Sequence, residues 1–390
     1  MTGYDVIVAG LGGMGSAAAA HLSSRGSRVL GLEQFSPAHD RGSSHGDSRM
    51  IRQAYYENPA YVPLLIRAYE LWADLDQERP GLLTITGGLM MGAADAAPVR
   101  GSLASARQWD LPHQVLDSHE IRRRFPTLNA GPETVAVLEE QAGFVLPEKS
   151  VLAHLSRAER GGADLRFQER VLGWETTRSR VRVKTDQGKY DAGHLVLTAG
   201  AWTAQLLASL DLPLQVERQL LYWFRARDDI ERYRAATHPV FIWDVGDGLQ
   251  LYGFPALGTS DEGVKVAFYR GAGTPADPDH LDRQIHADEI ELMRAQLAEH
   301  VPGLAGPFLR AVACMYTNTP DYDFVISPHP HHPRVTLAAG FSGHGFKFAP
   351  VVGEILADLA VDGHTSHPVE MFSSRRFTKS NPMSQSELMT

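Results

Sequence analysis

The stretch from residue 4 to residue 33 restricts the fold of this chain more than any other. Residues 4–9 read YDVIVA, Gly10, Gly12 and Gly15 follow, an Ala-rich run from Ser16 to Ser24 stops before Gly26, and residues 27–33 read SRVLGLE. Strand, glycine turn, helix and second buried strand make a βαβ unit, which needs a right-handed crossover. Each glycine has its own task. Gly10 permits the tight turn, Gly12 lets the backbone approach a pyrophosphate, and Gly15 lets the helix pack close. Gly13 and Met14 complete the loop, and the helix N-terminus supplies unpaired amides and positive potential. Glu33, ending the second strand, is placed to accept ribose hydroxyls. The chain is therefore expected to open in an α/β domain that binds a dinucleotide.

With 390 residues, of which 43% are apolar, there is room for two or three domains. Thirty-seven Lys and Arg against 46 Asp and Glu leave a net charge of -9, so electrostatics gives no reason to expect a nucleic-acid or anionic-membrane partner. The one cysteine, Cys314, allows no internal disulfide and no Cys-rich metal site. The N-terminus lacks signal-peptide features, and no segment has about 18 uninterrupted apolar residues, so the expectation is a cytoplasmic protein without a membrane partner. No metal site is expected: the histidine-proline tract at 327–333 reads as a solvated turn, and Glu139-Glu140 has no partner that would mark an acid and a base.

Farther along, residues 58–76 carry Val62, Leu65, Ile66, Tyr69, Trp72 and Leu75 on one helical face, which predicts a helix there. Short strands and turns begin near Leu82, with helices around 100–108 and 118–125. A helix starts at Pro147, a hairpin spans 171–185, and residues 194–198 form another buried strand. The alternation over 215–270 predicts a half-exposed antiparallel sheet; an amphipathic helix at 287–299 follows, then strands near 324–326 and 335–338 and a helix over 350–361. The expected fold class is mixed α/β: a discontinuous Rossmann-like domain from residues 1–82, 145–214 and 311–376, a second, β-sheet-rich catalytic domain from 83–144 and 215–310, and a flexible tail at 377–390.

A basic, Gly-rich loop at 41–52 (RGSSHGDSRMIR) stands out in an acidic chain, and its Arg49 and Arg52 can hold anionic cofactor or substrate groups. The fingerprint alone leaves NAD and FAD open. Several longer pieces are more specific: SHGDSRMIRQAY (44–55), TAGAW (198–202), YGFP (252–255), VKVA (264–267), CMYTNTPD (314–321) and AAGFSGHGFKFAP (338–350). With these in this order, nearly the whole chain resembles the monomeric sarcosine oxidase and N-methyltryptophan oxidase family, within the glycine and D-amino-acid oxidase group of flavoenzymes.

That resemblance implies FAD, joined covalently as an 8α-S-cysteinyl thioether through Cys314, with Ser44, Arg49, Val171, Gly200, Gly343, Gly345, Phe346 and Lys347 adding to the cofactor site. It implies that Arg52 and Lys347 pair with a substrate carboxylate, that Lys265 promotes electron transfer to dioxygen on the opposite flavin face, and that His45, Arg49, Tyr252 and Tyr316 stand near the reaction. The partners implied are a small secondary amino acid and dioxygen, and the oligomeric state a monomer. The two-residue period of 264–269 puts Lys265 and Tyr269 on one face, where both can line the cavity. Three departures bear on substrate: the family's sarcosine oxidases carry histidine where Tyr269 stands here, a family methionine aligns with Ile242, and the loop between Tyr252 and Lys265 is longer. N-methyltryptophan or a cyclic imino acid thus stays open beside sarcosine. A dehydrogenase of the same fold, an NAD enzyme and a flavin-containing sensor without turnover are the other readings.

Overall fold

The structure, a computed structural model, describes residues 3–207 and 210–377, so all of the expected tail except Phe377 lies outside the described residues. The strand Tyr4–Ala9 stands in the middle of a largely parallel sheet, between Val29–Leu32 and Lys189–Leu197. Asp164–Arg166 extends the sheet on one side and His332–Ala339 on the other. The expected hairpin forms as Val171–Thr176 and Val181–Thr185, joined antiparallel to Lys189–Leu197. The opening helix, Gly13–Ser24, starts inside the glycine motif, which is therefore half turn and half helix. Its four successive alanines, Ala17 to Ala20, are buried, and small side chains let Pro147–Arg160 and Ala349–Val361 pack close against it. At one crossing a Cβ on Gly353 would lie 2.6 Å from the backbone of Ala17.

A second, mostly antiparallel sheet forms over 215–270 as expected, but it is largely buried on both faces and not half-exposed, because apolar cores cover each side. Val240–Gly246, Leu249–Gly253, Val264–Arg270 and Gln215–Phe224 pair in that order, and Phe308–Asn318 runs beside Gln215–Phe224 from Gln215↔Asn318 to Phe224↔Phe308. The strand Gly88–Gly92 joins Val240–Gly246 in parallel. Because successive side chains take opposite faces, Tyr222, Phe224, Val264, Val266 and Phe268 enter one apolar core with Met293 and Leu297 of the helix Ala287–His300. Leu221, Trp223, Ala267, Tyr269, Cys314 and Tyr316 enter another, on the opposite face. A small third sheet of Arg49–Ile51, Gly143–Val145 and Leu83–Ile85 anchors the basic loop.

Three further expectations change. The boundary drawn at residue 311 cuts through Phe308–Asn318, whose strand ladder runs along Gln215–Phe224 of the second sheet. The helix expected from residue 58 begins as the single turn Pro59–Tyr61, with the Asn58 side chain accepting the Ala60 amide, and becomes α-helical only at Val62. In the histidine-proline tract His329 ends a strand at 3% exposure and packs edge-on against Trp174, so only Pro330 and His331 separate the paired strands. No helix among the described residues is long and apolar enough to cross a membrane.

Two stability predictions follow from this packing. Replacing Gly353 by valine drives side-chain atoms into the Ala17 backbone and should cost about 1–3 kcal/mol or more, read as a lower denaturation midpoint. Burial holds the folded-state pKa of His154 and His238 at about 3 and that of His21 and His194 at about 4, against 6.5 in the unfolded chain. In that window the unfolded chain binds protons that the folded chain does not, so stability falls as pH drops from 6.5 towards 4. Denaturation midpoints that stay level from about pH 7 to about pH 5 would contradict this assignment.

Candidate active site

Two clefts meet at Arg49, Tyr316, Gly343 and Phe346. The larger encloses about 1430 Å³ of empty space, open on one side, and is lined by Gly10, Gly12, Gly13, Met14, Glu33, Ser44, Val171, Gly200, Gly343 and Gly345. Gly10 has φ +93°, and a Cβ there would fall 2.6 Å from the Thr198 carbonyl oxygen. A Cβ on Gly15 would fall 1.8 Å from the Gly10 carbonyl oxygen, so this glycine serves close packing and does not line the cleft. On Gly12 a Cβ would meet only the Ser44 hydroxyl, at 3.7 Å, which leaves the backbone open to a ligand. No side chain caps the helix at Gly12; Ser44 Oγ accepts the Gly13 amide at 3.1 Å. Buried Glu33 accepts the Leu11 amide at 2.8 Å and the Phe35 amide at 3.1 Å, and His39 Nε2 lies 3.3 Å away. A carboxylate so braced keeps lone pairs for ribose hydroxyls. An open glycine backbone, an uncapped helix end and a braced carboxylate fit a dinucleotide.

The smaller cleft, about 560 Å³, has apolar walls from Met50, Leu221, Ile242 and Phe254, with Tyr252, Tyr269 and Tyr316 among them and Arg52 and Lys347 in its lining. All five residues expected to bind substrate, Arg52, Lys347, Tyr252, Tyr269 and Ile242, are thus brought together. Arg52 is 1% exposed, lies between the Tyr55 and Tyr56 rings at 4.3 and 4.5 Å, and places Nη2 2.6 Å from both Glu57 oxygens. Among the described residues its buried Nε has no hydrogen-bond partner. Lys347 Nζ donates to the His344 carbonyl at 2.7 Å; burial, with the Arg52 charge, lowers its pKa to about 7 against the pull of Glu57.

Sequence reasoning missed Glu57. Burial would raise its pKa, but Arg52, His344 and Lys347 together hold it at about 2, so it stays an anion. The Tyr269 hydroxyl donates to it at 3.1 Å and lies 3.2 Å from Arg270 Nη2. Its only sequence signal was an acid five positions after Arg52, beyond two tyrosines. His344 was also missed; burial pushes it down to about 3, and the neutral ring bonds to the Tyr55 hydroxyl and, through Nε2, to the Tyr322 carbonyl. Glu139, for which no chemistry was expected, is buried and accepts the Gln53 and Ala54 amides at 2.7 and 2.8 Å, fixing the chain beside Arg52.

Lys265 lines neither cleft, contrary to the expectation that it shares a cavity wall with Tyr269. At 3% exposure its Nζ donates to the Gly46 and Ser48 carbonyls, both at 2.6 Å. Burial and then Arg49 push its pKa well below the ordinary lysine value, while Asp47, Cys314 and Glu148 act the other way. Cys314 and His45 are buried behind the junction, and neither lines a cleft; His45 Nε2 has no hydrogen-bond partner. Burial would raise the Cys314 thiol, but His45 and Arg49 reverse this and bring it to about 6. Arg49 Nη2 stands 3.6 Å from the sulfur and 2.9 Å from the Ser43 carbonyl oxygen.

A dinucleotide cleft opening into a buried pocket that holds two cations defines an oxidoreductase acting on small molecules. The family model for FAD dependent oxidoreductases matches residues 5–359, and the chain belongs to that family. It is 54% identical to a monomeric sarcosine oxidase of Streptomyces avermitilis, over 96% of this chain and 97% of the relative. To an N-methyl-L-tryptophan oxidase of Salmonella enteritidis it is 33% identical, over 96% and 100%. Among solved structures, NikD, an unusual amino acid oxidase essential for nikkomycin biosynthesis, superposes with a TM-score of 0.82 at 25% identity, covering 95% of this chain and 97% of that one. L-proline dehydrogenase from P. horikoshii does so with a TM-score of 0.82 at 25% identity, covering 96% and 98%.

In flavin-free protein the Cys314 thiolate absorbance should titrate near pH 6, and Arg49→Met should move the midpoint upward. A midpoint near the ordinary thiol value of 9.0 would show that His45 and Arg49 do not act on the sulfur.

Proposed function

We propose that the protein oxidises secondary amino acids as a sarcosine oxidase-like enzyme, taking an N-methyl amino acid, dioxygen and water to the amino acid, formaldehyde and hydrogen peroxide. The observation that carries this reading is Arg52, buried with an Nε that has no partner among the described residues and set with Lys347 in the lining of the pocket that joins the cofactor cleft. When bound, FAD would accept a hydride equivalent from the C–H beside the substrate nitrogen, as C–N becomes C=N, and would pass two electrons to dioxygen. Arg52 and Lys347 hold the substrate carboxylate, which selects amino acids over simple amines and fixes the reacting carbon. A site this cationic also disfavours the ammonium form, so the amine binds in its reactive, neutral state. Tyr252, Tyr269 and Tyr316 contribute neutral hydroxyls, since burial raises the pKa of each. The chain before Ala349–Val361, around Gly343, Gly345 and Phe346, supplies the positive potential of a helix end at the junction of the clefts.

Behind that junction Cys314 is the attachment point of the flavin, with His45 and Arg49 keeping it a thiolate, and Lys265 is the cation that favours transfer to dioxygen. A cytoplasmic monomer completes the proposal, supported by the names of the relatives and the single, free thiol. Tyr269, fixed between Glu57 and Arg270, favours a second reading of the pocket, in which N-methyltryptophan or a cyclic imino acid replaces sarcosine.

The test is anaerobic titration of the purified protein with sarcosine, N-methyltryptophan and pipecolate. Bleaching of the flavin band by one of them, with equimolar peroxide on admitting air, is expected; flavin that none of them bleaches would overturn the assignment. Arg52→Met should lower kcat/KM by about 10–100-fold, the loss of one hydrogen bond to a charged group. Cys314→Ser should release its flavin on acid denaturation.

A further inference from the structure

Glu148 lies outside both clefts, yet two of its contacts lead to the buried ammonium of Lys265. It sits in the first turn of Pro147–Arg160, and its Oε1 accepts the Gly46 amide at 2.5 Å and the Asp47 amide at 3.2 Å. The Asp47 N–H and the Gly46 C=O belong to one planar trans peptide and point in opposite directions. The carbonyl end of that peptide accepts Lys265 Nζ at 2.6 Å. Carboxylate, peptide and ammonium therefore form one line, in which the negative charge polarises the peptide and strengthens the carbonyl as an acceptor.

The backbone is strained to make this line. Gly46 has φ +97° and Asp47 φ +67°, two successive left-handed residues, and a Cβ on Gly46 would fall 2.3 Å from Leu221. Left-handed backbone is disfavoured at a non-glycine, less so at Asp than at most residues, and persists where its surroundings impose it. The Asp47 side chain pairs with Arg310 at 2.5 Å in a half-exposed bridge; its charge, then that of Cys314, then that of Glu148, favours the ammonium, and of the two carboxylates only Glu148 is bonded to the peptide that accepts Lys265. Trp223 and Phe254 face Nζ with their rings at 5.9 and 4.6 Å, and neither can compensate a full charge.

We propose that Glu148 is a positioning residue for the oxidative half of the reaction, acting through the Gly46–Asp47 peptide to keep Lys265 charged and aimed. This rests on the proposed role of Lys265 and adds the group that sustains it. A buried ammonium held by carbonyls alone would tend to lose its proton, and the Glu148 charge works against that loss.

The experiment is stopped-flow kinetics on the holoenzyme and on Glu148→Gln, which keeps an acceptor oxygen and removes the charge. Reoxidation of the reduced enzyme by dioxygen should slow roughly tenfold, the scale of one charge-assisted hydrogen bond, while anaerobic reduction by substrate stays within about twofold. In a Lys265→Met background, Glu148→Gln should cause no further slowing, an outcome that a general structural role would not produce. Equal slowing in both backgrounds, equal loss in both half-reactions, or wild-type reoxidation of Glu148→Gln beside a slow Lys265→Met would each overturn this inference alone. Lys265→Met reoxidising at the wild-type rate would overturn the reading of Lys265 and this inference with it.

Discussion

Burial of positive charge around one junction is the constraint on which the rest of this structure depends. Arg52, Lys265 and Lys347 are 1%, 3% and 5% exposed, and Arg49 stands beside them against the Cys314 sulfur. Taking such groups out of water costs several kcal/mol each unless partners replace the lost hydration. One carboxylate, Glu57, answers Arg52 directly; Lys265 and Lys347 rely on backbone carbonyls. Burial pushes both lysines toward the neutral form, so an anion brought to the site would be stabilised by restoring their charge.

The second sheet turns that electrostatic demand into geometry. Arg310, Trp223 and Lys265 occupy one register line across three adjacent strands, and Cys314 is four residues beyond Arg310 on the same face. A one-residue slip would bury Lys265 in the apolar core of Tyr222 and Val266 and turn Cys314 away from His45 and Arg49. The long pairing of Gln215–Phe224 with Phe308–Asn318 guards against that slip, and the opposite face is closed by Met293 and Leu297. The demands of stability and chemistry thus fall on alternate residues of the same strands.

How far the sequence disclosed this depends on the range of each interaction. The glycine motif was legible because its requirements are local: a turn, a close approach and a helix end within a few residues. The gathering of Arg52, Lys347, Tyr252, Tyr269 and Ile242 came from likeness to a family, since they approach from distant segments and no periodicity links them. Glu57 and Glu148 escaped notice because an acid has no distinctive pattern of its own; its meaning comes from the buried cation it serves. Lys265 was given the right strand face but the wrong neighbours, because period two fixes a direction and not what stands in that direction. The boundary at residue 311 failed for a similar reason: the pairing that assigns Phe308–Asn318 to the second sheet is made with a strand some 90 residues earlier.

The fold by itself does not separate an oxidase from a dehydrogenase, for NikD and L-proline dehydrogenase superpose on this chain equally well. What distinguishes the two chemistries must lie in groups that change the course of the electrons without changing the shape of the sheets. The role proposed for Lys265 makes it such a group: held under Gly46 and Ser48, it lines neither cleft and adds nothing to the packing that a methionine could not supply. Its burial is a standing cost to stability. The two left-handed residues and the helix-borne carboxylate that accompany it add to that cost, which the packing of the sheets alone does not require.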